Sequence, residues 1–270
     1  MKYWVKVALV IVVAAALLVP VGIVLSPQHH SETAHPLYFL PPDSTVIADY
    51  RVGNDTFYFF FANNSVGGVA PLNISVLQQS ISLIPGAVVV QDKGGMTQYA
   101  NVDGYRIYNF ALLHLNASQI ENATGINIST ANNIKVPLYA AQIGNDYTLW
   151  GGLPAVLYSI RQSASHTIAA ASHLNNTSEA SLYYNFSTGN VSSVSASITT
   201  NTSYLQVNFT GADAAMSAEE NFSTAYGNIL KFIRVDGSTL VAELKVGLSN
   251  YGSASSEIGS MVKFLIKEAG

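Results

Sequence analysis

Cysteine is missing from all 270 residues. Its absence excludes a disulfide scaffold, a cysteine nucleophile, an iron–sulfur cluster, a cysteine zinc site, a blue-copper centre and a lipid anchor on cysteine. Charge is almost as scarce. Asp, Glu, Lys and Arg make up 10% of the chain, against roughly 25% in an ordinary soluble protein. Twelve basic residues face sixteen acidic ones for a net charge of -4, and no basic run occurs, so nucleic acid is excluded as a partner. The chain also lacks a Gly-x-x-x-x-Gly-Lys-Ser/Thr loop, a Gly-x-Gly-x-x-Gly turn, His-Glu-x-x-His, Gly-x-Ser-x-Gly and an EF-hand loop. Nothing in it therefore calls for a cofactor or a catalytic metal.

Polarity comes instead from 29 Ser, 16 Thr, 21 Asn and 9 Gln. Thirteen of the 21 Asn open an Asn-x-Ser/Thr triplet: Asn54, Asn63, Asn73, Asn116, Asn122, Asn127, Asn175, Asn176, Asn185, Asn190, Asn201, Asn208 and Asn221. With 45 Ser or Thr in 270 positions, composition alone would give about 3.5 such triplets. None has Pro in the middle. Each is an acceptor for a bulky, solubilising N-linked glycan on an exported chain.

The N-terminus points the same way. Lys2 and Lys6 precede Val7 to Leu25, nineteen residues without a charge, and the next positive charge is Arg51. Nineteen residues at 1.5 Å each suit a bilayer core, and the flanking Lys set the N-terminus inside. This predicts a single-pass signal anchor at 1–25 contacting the lipid bilayer through 7–25, with the C-terminal domain outside the cell membrane. A cleaved signal peptide is the competing reading.

Breakers and periodicity organise the rest. Residues 26–42, Pro- and His-rich, read as a stalk. Strands are expected at 44–51, 56–62, 87–92, 96–102, 105–112, 135–143 and 146–150, with helices at 73–84, 117–123 and from Pro154 to about Ser163. Further strands are expected at 179–186, 191–200, 203–210, 228–235 and 239–248, with helices at 212–226 and 254–268. Asp103-Gly104 and Asp236-Gly237 are hairpin turns. Alternation places Asn185, Asn201 and Asn208 on the polar face of three successive strands, opposite Leu205, Val207 and Phe209. The expected fold class is therefore α+β. An N-terminal transmembrane helix leads into two related antiparallel-sheet-plus-helix units, 43–174 and 175–270, with a β-sandwich as the alternative.

Candidate chemistry is thin. His29, His30 and His35 sit together in the stalk, and imidazoles can bind metal, although a solvated linker explains them as well. Ser165-His166 with His173 lies at a helix break, poorly placed for a nucleophile–base pair. Glu219 and Glu220, with Asp213, suggest a glycosidase pair only superficially, because neighbours on a helix point about 100° apart. Catalytic and metal residues are thus expected to be none.

Low charge, Ser/Thr/Asn/Tyr richness, missing Cys and crowded acceptors behind a hydrophobic segment resemble, as a class, the cell-surface proteins of thermoacidophilic archaea. Leu40-Pro41-Pro42-Asp43-Ser44 before a strand, with Leu149 to Ser163 later, is similar in layout to exported domains of unknown function. Neither resemblance carries catalytic residues across. The expectation is a non-enzymatic, glycosylated, membrane-anchored extracellular domain with an envelope-structural or protein-interaction role. A solute-binding module or accessory subunit of a membrane complex comes next, and a secreted hydrolase last. Acceptors are absent from 128–174 and 222–270, and a glycan on a contact surface blocks close packing. A protein partner is therefore expected at 135–163 and 228–267.

Overall fold

The structure is a computed structural model that describes residues 35–250, except 83–86, 90–95, 116–133, 167, 176 and 187–188. The described chain forms thirteen β-strands and three α-helices of 9, 11 and 15 residues. It divides into two compact units, Met1–Ser44 with Arg51–Ala171, and Thr45–Tyr50 with Ser172–Gly270.

In the first unit, β2 (Asp55–Ala62), β3 (Ser65–Ala70), β8 (Tyr147–Gly151), β7 (Ile134–Ile143) and β6 (Tyr105–Leu115) lie side by side in that order. β4 (Ala87–Val89) and β5 (Gln98–Val102) share the outer edge of β6, and every pairing is antiparallel. The run Phe59-Phe60-Phe61 in β2 is fully buried, as expected of a strand covered on both faces. What lets it pack is Gly67-Gly68 opposite. Phe60 pairs with Gly67, and Trp150 pairs with Gly68. Adjacent strand residues point to opposite faces, so one aromatic ring crosses β3 on each side. A Cβ on Gly67 would collide with the Phe60 ring, and one on Gly68 would lie 2.9 Å from the Trp150 indole.

Helix α1 (Ile74–Ser82) covers the Trp150 face, setting Leu77 among Ala70, Phe110, Ala111, Leu138 and Ala140. Its free N-terminal amides are met from two directions. Asn73 Oδ1 accepts from Val76 N at 3.0 Å, and Gln142 Oε1 accepts from Ile74 N at 2.9 Å. The opposite face takes the 3-10 turn Pro36–Phe39 and α2 (Leu153–Ser163). Phe39 meets Tyr105 edge-on at 5.6 Å, and the buried Ser159 hydroxyl donates to the Phe39 carbonyl. Pro154 opens α2, where no amide donor is needed, and Ala155, Val156 and Ile160 are its buried stripe.

The second unit orders its strands β12 (Leu230–Asp236), β13 (Thr239–Leu244), β11 (Ser203–Phe209), β10 (Val191–Ile198), β9 (Ala180–Asn185) and β1 (Val46–Val52), again antiparallel. β1 pairs with β9 over Val46–Tyr50, so the sheet is completed by a strand from far upstream. Helix α3 (Ala212–Tyr226) buries Ala215, Ala218, Phe222 and Tyr226 against Val194, Leu205, Val207, Leu240, Ala242 and Leu244. Those helix positions recur every three to four residues, one apolar stripe on one sheet face. Truncating Phe222 to Ala would cost about 3–5 kcal/mol, as for other buried aromatics.

The two units share a connectivity. A hairpin leads into a helix, and a later hairpin, reached in the first unit through β4, β5 and β6, returns so that its last strand pairs with the strand before the helix. β8 thus lies on β3 after α1, and β13 lies on β11 after α3.

The expected α+β class with an N-terminal transmembrane helix is corrected. Sheet dominates the described chain, because alternating apolar and hydroxyl residues satisfy the backbone by strand pairing and leave only short helices as covers. Each unit holds one helix-covered sheet, which also sets aside the sandwich alternative. Among the described residues no helix is long and apolar enough to cross a membrane. The single-pass, signal-anchored cell-membrane reading is therefore withdrawn. The segments behind it, 1–25 and most of the stalk, lie outside the described residues, as do the expected helices at 117–123 and 254–268.

Replacing Gly67 with Ala should lower the unfolding midpoint in denaturant by an amount equivalent to about 1–3 kcal/mol, since the Phe60 ring must move. Gly211→Ala, where nothing lies within 4 Å, should cost less, about 0.5–1 kcal/mol from the poorer N-cap of α3. Equal effects in the two variants would disprove the stacked-ring account.

Candidate functional site

Nine of the thirteen acceptor Asn are described; Asn116, Asn122, Asn127 and Asn176 lie outside. Seven of the nine are exposed: Asn54, Asn63, Asn175, Asn185, Asn190, Asn201 and Asn221. Four of these occupy turns. Asn54 follows Gly53 before β2. Asn63 (φ 49°) and Asn64 (φ 57°) make the two-residue β2–β3 turn, a left-handed pair that Asn tolerates. Asn190 lies just before β10, and Asn201 lies between β10 and β11. Asn221 stands on the exposed side of α3, and Asn185 ends β9. Asn175 is exposed but engaged, with Oδ1 accepting from Thr177 N at 3.0 Å and from its hydroxyl at 2.8 Å.

Two acceptors are half-buried. Asn73 caps α1, as described above. Asn208 sits inside the second sheet, where Nδ2 donates to Ser193 Oγ at 2.8 Å and Oδ1 accepts from Thr239 Oγ1 at 2.9 Å. Ser193, Asn208 and Thr239 are register partners on β10, β11 and β13, so the three side chains form a rung across three strands. The sequence expectation of Asn185, Asn201 and Asn208 on one polar face is thus modified: β10 ends at Ile198, and Asn201 belongs to the following turn.

Two rungs along this face, beyond that of Gln206 and Val241, the group is aromatic and charged. Tyr204 on β11 and Phe232 on β12 both pair with Glu243 on β13. The rings are 42% and 39% exposed, while Glu243 beneath them is 5% exposed. Lys231 Nζ donates to Glu243 Oε1 at 2.8 Å. That bond holds the Glu243 carboxyl below its ordinary 4.5. Shielding from water opposes the shift, and the Tyr204 hydroxyl bond assists it. The same bond raises Lys231 above 10.5. A bulge between Leu230 and Phe232 puts Lys231 and Phe232 both on the open side. Sequence reasoning missed this group. The available signal was Glu243 inside Thr-Leu-Val-Ala-Glu-Leu, a lone carboxylate in an apolar strand.

The residues weighed for chemistry are scattered. His29 and His30 lie outside the described residues; His35 meets Tyr38 at a tilt, 5.2 Å between ring centres. His166 meets the same Tyr38 edge-on at 5.0 Å, and Ser165 Oγ donates to the Gln162 carbonyl at 2.7 Å. His173 stacks flat on Tyr183 at 4.0 Å. Asp213, Glu219 and Glu220 line α3, with Asp213 in its first turn, favourable to the helix dipole. Among the described residues no group of three His, Cys, Asp or Glu is placed to hold a metal ion. Of the two acceptor-free stretches, 135–151 forms strands whose Leu138, Ala140, Ala141, Ile143 and Leu149 are buried. Residues 228–236 are largely exposed.

No protein family and no curated protein matches the chain. Solved structures titled crystal form III and crystal form I of TP0453 are similar at TM-scores of 0.46 and 0.44. Their identities are 11% and 10%; each alignment covers 84% of this chain, and 100% and 98% of those chains.

The Glu243 pair gives a pH prediction. A depressed carboxyl pKa stabilises the fold above about 4.5 and loses that contribution as pH falls through the lowered value. The raised Lys231 contributes below 10.5 and is lost as pH rises beyond it. Thermal melts of Glu243→Gln should therefore show a constant deficit against wild type between about pH 5 and 10, closing below pH 4. A deficit that persists unchanged at pH 2 would contradict the ion-pair origin.

Proposed function

We propose that the chain is a non-enzymatic, N-glycan-bearing module with a structural or protein-interaction role. The observation that carries the reading is the exposure of seven of the nine described acceptors, four of them at turns. A glycan needs an outward-facing amide, and turns supply one without loss of strand pairing. The groups best suited to catalysis are engaged in holding the fold: the Ser165 hydroxyl on a carbonyl, His166 and His173 on tyrosine rings. For the partner surface we favour 228–250 over 135–163, because β12 and β13 present Phe232 and the neighbouring Tyr204 to solvent, whereas β7 and β8 are interior strands. Exposed aromatics beside a satisfied ion pair suit a protein contact, where such rings carry most of the binding energy.

Two measurements test this. Protein purified from its source should have an intact mass above that of the polypeptide, reduced by chemical deglycosylation; a mass equal to the polypeptide ends the glycoprotein reading. In the same cells, Phe232→Ala should leave the melting temperature nearly unchanged and release the protein from any larger assembly in native size separation. The expected weakening is about tenfold or more. An assembly indifferent to Phe232→Ala with Tyr204→Ala would place the contact elsewhere.

A further inference from the structure

Resting on the glycoprotein reading, we propose that glycans are added to the folded chain at its turns, and that the fold withholds Asn208 from modification. Asn208 opens an intact acceptor triplet, Asn208-Phe209-Thr210, so sequence alone ranks it with the others. Geometry separates it.

Its amide is fixed at both ends. Nδ2, the atom that would carry the sugar, donates to Ser193 Oγ at 2.8 Å; Oδ1 accepts from Thr239 at 2.9 Å and from Gln206 Nε2 at 3.4 Å. The middle residue, Phe209, is buried in the core under α3. The third residue, Thr210, is tied to the Asn190 carbonyl, by its backbone N at 2.9 Å and its hydroxyl at 3.3 Å. β11 is an interior strand with β10 on one side and β13 on the other. A transferring enzyme must grip the triplet backbone and turn the amide outward. At Asn208 that requires breaking two strand ladders and withdrawing Phe209 from the core, an opening close to unfolding of the unit.

At Asn54, Asn63 and Asn201 the demand is smaller: each is exposed and lies between strands, and none has a buried middle residue. Ser249 Oγ donates to Asn201 Oδ1 at 3.3 Å, a contact on the oxygen and not on Nδ2. A chain glycosylated before folding would make no such distinction, because all these triplets are equivalent in an extended polypeptide. Occupancy of Asn208 relative to Asn201 therefore reports whether folding precedes sugar transfer.

Site-resolved glycopeptide mass spectrometry on the full protein from its source decides it. The expected result is glycan on the turn acceptors, with Asn208 occupancy lower than that of Asn201 by about tenfold or more. Comparable occupancy at Asn208 and Asn201 overturns the proposal while leaving the glycoprotein reading standing. Absence of glycan from every site overturns that reading and the proposal with it. A sugar-free measurement checks the structural role of Asn208 separately. In full-length protein made in a host without N-glycosylation, Asn208→Gln and Thr239→Val should each lower the melting temperature by roughly 2–6 °C. Asn201→Gln should leave it unchanged. Indistinguishable melts of Asn208→Gln and Asn201→Gln would show that the rung does not hold Asn208.

Discussion

A sheet face made of hydroxyls and amides has to satisfy much of its own hydrogen bonding, and in a chain this poor in charge that requirement shapes the second unit. Ser193, Asn208 and Thr239 do so as a rung across β10, β11 and β13. Asn208 has a partner on each side, so a slip of one residue would break both bonds and turn Leu205, Val207 and Phe209 outward. The rung therefore helps fix the register that α3 reads from the opposite face. Glu243, two rungs along, shows what a charge demands on the same face. It is 5% exposed, and the hydrogen bonds of Lys231 and the Tyr204 hydroxyl hold its carboxyl pKa down against burial.

The first unit solves a different problem. Its sheet is covered on both faces, by α1 on one and by α2 with the Pro36–Phe39 turn on the other. Two large rings must then fit on a strand without splaying its neighbours, and Gly67-Gly68 make room by offering no side chain on either side. The gain is dense packing around Phe60 and Trp150. The consequence is that β7 and β8 have little surface left, which is why the acceptor-free stretch 135–151 reads better as interior than as interface. Pro137 lies beyond Tyr139, the last β7 residue paired with β8, and keeps register only with Leu112 on β6.

Much of the strand pattern was legible. Leu205, Val207 and Phe209 alternate cleanly with Tyr204, Gln206 and Asn208, and α3 carries its apolar stripe in plain view. β3 was not legible, because Ser-Val-Gly-Gly-Val-Ala has no alternation; the rings of Phe60 on the preceding strand and of Trp150, far along the chain, explain its glycines. The pairing of β1 with β9 was equally hidden, since nothing local in Val46–Tyr50 names a partner so far along the chain. The α+β expectation rests on hairpin-then-helix segments, whereas strands far outnumber helices among the described residues. Of the site, the exposed turn acceptors were visible as triplets, but the Lys231–Glu243–Tyr204 group was not. It depends on a bulge in β12 that places two consecutive side chains on one side.

The acceptor signal has a physical structure that a count does not reveal. In a strand, residues i and i+2 share a face, so a polar face rich in Asn, Ser and Thr produces Asn-x-Ser/Thr triplets without any selection for glycans. Asn208-Phe209-Thr210 is such a case: the apolar middle residue points into the core, and the two polar ones point out. At a turn that period is interrupted, and nothing in the pleat places Ser or Thr two residues after Asn. Asn54, Asn63, Asn190 and Asn201 therefore carry more weight per triplet than the excess over about 3.5 expected by composition, because sheet geometry does not account for them. The same chemical pattern thus has two origins in one chain, one that builds the sheet and one that decorates it, and the backbone conformation around the Asn separates them.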